Sequence, residues 1–263
     1  MKKKFLGIIM SSVIALSMVA CSSETADDTA DTSSSSVEST DEDTKTLVMA
    51  TNAEFPPYEY YENSEVIGID VEIAKAICDE LGYELEIEDI AFDSIIAEVT
   101  SGKADFGMAG MTVTEERMQS VSFSDSYTTA NQVVIVAEDS DITSIDDLSG
   151  KLIGVQTGTT GDIYATDDHG DENIERYNKG AEAVAALSQG KIDAVIIDNN
   201  PASVFVSENE GLKILETSYA EEEYAIAISK DNTELLDEIN TALSTLKDNG
   251  TLDEIVAKYI QAE

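Results

Sequence analysis

Histidine and cysteine are almost missing from this 263-residue chain, which holds one His and two Cys. A disulfide framework, a Cys/His zinc site and any catalytic scheme needing two histidines are excluded with them. Positive charge is scarce as well: 15 Lys and Arg stand against 54 Asp and Glu, a formal net charge of −39. A surface of that sign repels phosphate backbones, so nucleic acid is excluded as a partner. What remains is ordinary for a soluble globular protein, with 42% hydrophobic and 26% charged residues. The length allows one large core or two smaller ones, and the acid excess reads as a solubilising surface rather than a site.

Only one long apolar run occurs, over residues 5–20, after Lys2, Lys3 and Lys4. It is too short to span roughly 30 Å of hydrocarbon comfortably, and it reads as a secretory signal over residues 1–20. Ala20 precedes Cys21, which resembles the lipobox of bacterial lipoproteins, where the Cys becomes the lipidated first residue; Met18 departs from the usual Leu there. Lipidation of Cys21, with anchoring to the outer face of the cytoplasmic membrane, is therefore expected over free secretion. Residues 22–44 hold 12 Ser or Thr and 8 Asp or Glu among 23 positions. Such a composition cannot bury enough surface to offset chain entropy, so residues 21–44 read as a lipidated Cys and a disordered acidic tether.

From Thr46 onward, short β-type runs alternate with amphipathic helices and Gly stops, the pattern of α/β architecture with mostly parallel strands. Residues 47–50 read as a buried strand. Asp70 is placed to cap a helix in which Ala74, Ile77, Cys78 and Leu81 recur at i, i+3, i+4 and i+7 before Gly82, which puts Cys78 in the core. The segment Ser101-Gly102-Lys103-Ala104-Asp105 returns 88 residues later as Gln189-Gly190-Lys191-Ile192-Asp193. In each copy an apolar-faced helix ends at Gly, turns, and enters a buried strand, so one supersecondary unit occurs twice and two lobes follow. Lobe 1 is expected over 45–131 plus 223–263 and lobe 2 over 132–222. Strands at 132–137 and 224–229, and helices at 233–248 and 252–261, complete the scheme, with two crossovers acting as a hinge. Gly110 and Asp198 sit at matching strand ends, and a ligand cleft is expected between them.

Arg117 is one of only two arginines and follows that first strand end. With Thr114 as N-cap it either holds a carboxylate bidentately or faces solvent beside Glu115 and Glu116. Residues 155–161 form a strand and a Gly-bracketed turn that either offers donors to an anion or merely connects β to α; it lacks the spacing of a Walker loop. Asp198 either caps the next helix or meets a ligand ammonium. An Arg and an Asp on opposite lobes complement a zwitterion. Phe55 stands in a proline-held loop able to wall a pocket, and Phe92 is either a similar wall or core packing. His169 reads as part of a solvated turn, and no metal site is expected.

The ordered set 50–58, 68–70, 101–105, 112–117, 123–127 and 158–160 resembles the polar amino-acid-binding proteins of ABC importers, extracellular solute-binding family 3, over 45–262. The resemblance implies a two-lobed type II periplasmic-binding-protein fold, each lobe a mostly parallel sheet flanked by helices. It implies that Arg117, Thr112 and Thr160 hold a substrate carboxylate and that Asp198 and the Gly110 carbonyl take its ammonium. Phe55 and Phe92 would line the pocket, and Asn52 and Gln156 would touch the substrate side chain; Asn52 replaces the Asp often seen in binders of cationic amino acids. The expected function is a cell-surface receptor that captures a polar L-amino acid and delivers it to a permease driven by a separate ATPase. A monomer without cofactor or catalytic residues is implied. Two alternatives stay open: a secreted cyclohexadienyl or arogenate dehydratase on the same fold, with Glu54 as its acid or base, and a sensory surface receptor.

Overall fold

The computed structural model describes residues 44–260. The signal, Cys21 and all of the tether except Thr44 lie outside the described residues, as does the far C-terminus. In chain order the elements are β1 (Thr46–Thr51), β2 (Glu54–Phe55), β3 (Glu59–Glu62), β4 (Glu65–Ile67), α1 (Ile69–Leu81), β5 (Glu84–Asp89), α2 (Ile95–Ser101), β6 (Phe106–Gly107), β7 (Val121–Phe123), β8 (Thr128–Ala137), β9 (Ile153–Gln156), α3 (Thr160–His169), β10 (Ile174–Tyr177), α4 (Gly180–Ser188), β11 (Ala194–Asp198), α5 (Asn199–Glu208), β12 (Leu212–Ile214), β13 (Ala220–Tyr224), β14 (Ala227–Ser229), α6 (Thr233–Asp248) and α7 (Thr251–Tyr259). None of the described helices is long and apolar enough to cross a membrane.

Two sheets of matching design organise these elements. The first has the order β5-β1-β6-β14-β7 and the second β10-β9-β11-β8-β12, with β13 also paired to β8. In each, the central repeat strand, β6 or β11, runs parallel to one neighbour and antiparallel to the other. Only β14 opposes the rest of the first sheet and only β8 the rest of the second, so both lobes are mostly parallel in direction. The small hairpin sheet β2-β3-β4 stands beside the first.

The duplicated turn is duplicated in its bonds. Asp105 Oδ2 accepts the Val48 N–H at 2.8 Å, and Asp193 Oδ2 accepts the Leu152 N–H at 2.8 Å. The acid of Gly-Lys-x-Asp thus ties each repeat strand to the strand beside it and satisfies a backbone donor.

Helix α1 forms because its apolar residues recur on one face, which buries Ile73, Ala74, Ile77 and Cys78 against α6 and α7. Each such isoleucine is worth about 1.5–3 kcal/mol of burial. Gly82 ends the helix at φ 71°, where its missing Cβ removes the steric cost. Cys78 is buried, and burial pushes its thiol up to about 11, so it is inert packing.

Several local expectations need correction. Asp70 does not cap α1: Gly68 holds that position, and Asp70 is buried in the first turn, turned inward to a backbone donor of the cleft. The strand expected at 132–137 begins at Thr128, because residues 128–132 pair with β13. The strand expected at 224–229 is broken into β13 and β14, since β13 pairs with β8 and β14 joins the first sheet. The helix expected at 252–261 runs from Thr251 to Tyr259. Thr114 does not cap an α-helix; its Oγ1 accepts the Arg117 N–H at 3.1 Å and starts a single 3-10 turn, Arg117–Gln119.

Candidate functional site

The carboxyl ends of β1, β6, β9 and β11 face one cavity of about 10 Å³, closed down to the room of a single water. Its lining contains all nine residues singled out from the sequence: Asn52, Phe55, Phe92, Gly110, Thr112, Arg117, Gln156, Thr160 and Asp198. Three more lining residues, Glu59, Ala109 and Thr159, were not singled out. Glu59 is the consequential omission, and no local sequence signal separates it from the many solvated acids.

Arg117 does not face solvent. It is 7% exposed, its Nη1 donates to the Thr112 carbonyl at 2.8 Å and its Nη2 to the Gly158 carbonyl, in the second lobe, at 3.1 Å. The Phe92 ring lies 5.3 Å from the guanidinium carbon, a cation–π contact, so Phe92 is half buried as a wall under the arginine. Burial lowers the Arg117 pKa, the nearby Glu222 opposes that shift, and the group stays charged.

Asp198 occupies the N-cap position of α5 without capping it with its side chain. The carboxylate turns instead to Gln132, whose Nε2 donates to Asp198 Oδ2 at 2.8 Å and to Glu222 Oε2 at 2.9 Å, and to the hydroxyl of Tyr224. Burial, and then the charge of Glu222, push Asp198 up to about 7. A ligand cation there would relieve both causes.

The Gly158 turn begins α3. Thr159 Oγ1 accepts the Asp162 N–H at 3.3 Å as a true N-cap, which leaves the buried Thr160 at the first helical position with Oγ1 3.5 Å from Gln132 Nε2. Gly110 is held at φ 54°, and a Cβ there would stand 3.0 Å from the Phe55 ring and 3.2 Å from the Tyr224 ring. Only glycine fits. Its N–H donates to Asp70 Oδ2 at 2.8 Å. Phe55 stacks on Tyr58 at 5.9 Å, which in turn meets Tyr224 edge-on at 5.2 Å.

Several polar contacts link the lobes. Besides Arg117 to Gly158, Gln156 Nε2 donates to Asn52 Oδ1 at 2.9 Å, Asn200 Nδ2 donates to the Tyr58 hydroxyl at 2.8 Å, and Lys179 pairs with Glu54. Glu54 is thus at the rim and does not line the cavity.

Comparison with known proteins agrees with this geometry. The arginine-binding extracellular protein ArtP of Bacillus subtilis (strain 168) is 35% identical over 267 residues, 99% of each chain. An ancestral arginine-binding protein bound to glutamine matches with a TM-score of 0.79 at 39% identity, covering 82% of this chain and 98% of its own. The arginine-, lysine-, histidine-binding protein ArtJ from the thermophilic bacterium Geobacillus stearothermophilus gives 0.79 at 35% identity, over 83% and 96%. The profile of one family spans residues 47–262, nearly the whole described chain. With both lobes, the cleft and the relatives in agreement, the chain belongs to the bacterial extracellular solute-binding proteins, family 3.

Proposed function

We propose that this protein is the receptor of an amino-acid ABC importer, closing its lobes over one polar L-amino acid and delivering it to the permease without chemical change. The observation that carries the reading is the opposed pair in the cavity: Arg117, buried in the first lobe, and Asp198, buried at the end of β11 in the second. In this reading Arg117, Thr112 and Thr160 take the carboxylate, Asp198 and Gly110 take the ammonium, Phe55 and Phe92 wall the pocket, and Asn52 and Gln156 meet the side chain. Each charge of the zwitterion then replaces the water it loses. A ligand touching both lobes favours the closed form by its differential affinity. The hinge lies where 128–132 and 220–224 pair, close to lobe boundaries at 131/132 and 222/223.

Arginine is the favoured substrate. Relatives named for arginine support it, and a strongly acidic chain raises the local concentration of a cation. Glutamine is the second reading, favoured by the Asn52–Gln156 amide pair in the pocket and by the ancestral relative bound to glutamine. Lipidation at Cys21, a tether, a monomeric state and the absence of catalysis belong to the same proposal. Titration calorimetry of refolded, ligand-stripped protein against arginine, glutamine, lysine and histidine tests it. Saturable one-to-one binding with arginine tightest is expected. Binding of none, or turnover of prephenate or arogenate, overturns it.

A further inference from the structure

Two acids, Glu59 in the cavity lining and its neighbour Asp70, are not used by the proposed function. Glu59 and Asp70 are both fully buried. Read as two carboxylates, they leave three oxygens without a donor: Glu59 Oε1, Glu59 Oε2 and Asp70 Oδ1. The other oxygen, Asp70 Oδ2, is well served, by the Gly110 N–H at 2.8 Å and the Tyr127 hydroxyl at 2.9 Å. No described Lys, Arg or His pairs with either acid. Arg117, the only cation lining the cavity among the described residues, is spent on the carbonyls of Thr112 and Gly158. The acids Asp70, Asp198 and Asp89 and the phenols of Tyr58 and Tyr127 stand near Glu59, and Arg117 lines the same cavity.

Two bare, adjacent buried charges without a cation are not tolerated. One proton resolves the geometry. We propose that Glu59 is a neutral carboxylic acid whose O–H donates to Asp70 Oδ1, and that this acid–carboxylate bond makes Glu59 a positioning residue for the cleft, holding Asp70 where it fixes the Gly110 amide. The proton stays on Glu59 rather than Asp70 because Asp70 already accepts two hydrogen bonds that favour its charged form, whereas Glu59 accepts none. Burial first, and then the charge of Asp70, raise Glu59 well above the usual carboxylate range, while burial holds Asp70 at about 6. The acid also has a consequence for selectivity. A neutral Glu59 leaves the cavity with one cation and one anion, Arg117 and Asp198, which matches an amino acid's main chain.

The sign of the pH effect follows. Glu59 is protonated in the folded protein and ionised in the unfolded one above about pH 4.5, so its contribution to stability is full below that pH and declines as pH rises toward the raised folded value. The test compares full-chain wild type with Glu59→Gln, which keeps an N–H donor toward Asp70 and cannot ionise. Denaturant unfolding of ligand-free protein from pH 5 to 8 should show the variant's stability falling with pH less steeply, by close to one proton. Infrared difference spectra near pH 7, wild type against Glu59→Gln, should show a protonated-carboxyl stretch that the variant lacks. Arginine or glutamine should bind Glu59→Leu at least tenfold more weakly than Glu59→Gln, the variant that keeps a donor toward Asp70. Equal pH slopes, no carboxylic-acid band in the difference spectrum, or equal affinity losses in the two variants would each overturn the proposal. Only the binding arm rests on the receptor reading: if no amino acid binds either protein that reading fails, while the slope and the infrared band still decide the state of Glu59.

Discussion

The two repeats share a turn and diverge at its far end. In the first, β6 is two residues long and gives way to an irregular Met108-Ala109-Gly110 passage, so its contribution to the cleft is backbone, followed by the Arg117 guanidinium. In the second, β11 stays paired to β8 as far as Asp198 and Gln132, so the strand ends on a side-chain carboxylate held by an amide. The Gly-Lys-x-Asp turns are the same to the hydrogen bond, Asp105 to Val48 and Asp193 to Leu152. One scaffold thus presents a cation from one side and an anion from the other, and in the proposed function the turn belongs to stability while the strand ends belong to binding.

That division can be broken most sharply at Arg117. Arg117→Ala should weaken amino-acid binding by roughly 100-fold or more, since removing one member of a buried charge pairing costs about 2–5 kcal/mol; calorimetry that returns wild-type affinity would take Arg117 out of the site. Asp198 comes next. Asp198→Asn should cost roughly 30-fold, and in wild type the affinity should fall about tenfold from pH 8 to pH 6, because an acid pushed up to about 7 must lose its proton to receive an ammonium. Calorimetry in buffers of different ionisation heat should register proton release on binding near pH 7. The same raised value makes Asp198 stabilise the empty protein most at low pH, a contribution lost as pH rises from about 3.8 through 7.

The turn acids sharpen the comparison from the other side. Asp105→Ala and Asp193→Ala should each lower unfolding free energy by about 1–2 kcal/mol, the cost of a backbone donor left unpaired, with affinity changed less than twofold. Unequal losses in denaturant titrations would show that the repeats are alike in sequence only. The smallest effect is expected at the cleft rim, where Lys179→Ala removes the interlobe pair with Glu54. Both groups are partly exposed, so the closed form should lose under about 1 kcal/mol, measured as less than a fivefold change in affinity.

Legibility differed by residue for identifiable reasons. The repeat, the Gly82 and Gly102 stops and the apolar face of α1 were readable because they rest on local rules of period and left-handed caps. The strand at 128–131 was missed because Thr128, Thr129 and Asn131 carry no alternating hydrophobic signal; what makes them a strand is β13, some ninety residues away. Asp70 was misread for a similar reason, since an acid in a first helical turn looks like a cap until Gly110 and Tyr127 are brought to it. The nine cleft residues were reachable through the ordered motifs rather than through any one of them, as the open alternatives for Arg117, Phe92 and Asp198 show.

By itself the sequence determined the absences, the α/β alternation, the duplicated unit and the family, all of which follow from composition, short-range periodicity and motif order. Tertiary structure alone decided which acids are charged. Asp198 and Glu59 differ from dozens of solvated carboxylates only in being carried away from water, and the cost of that transfer depends on neighbours that the fold supplies from distant parts of the chain.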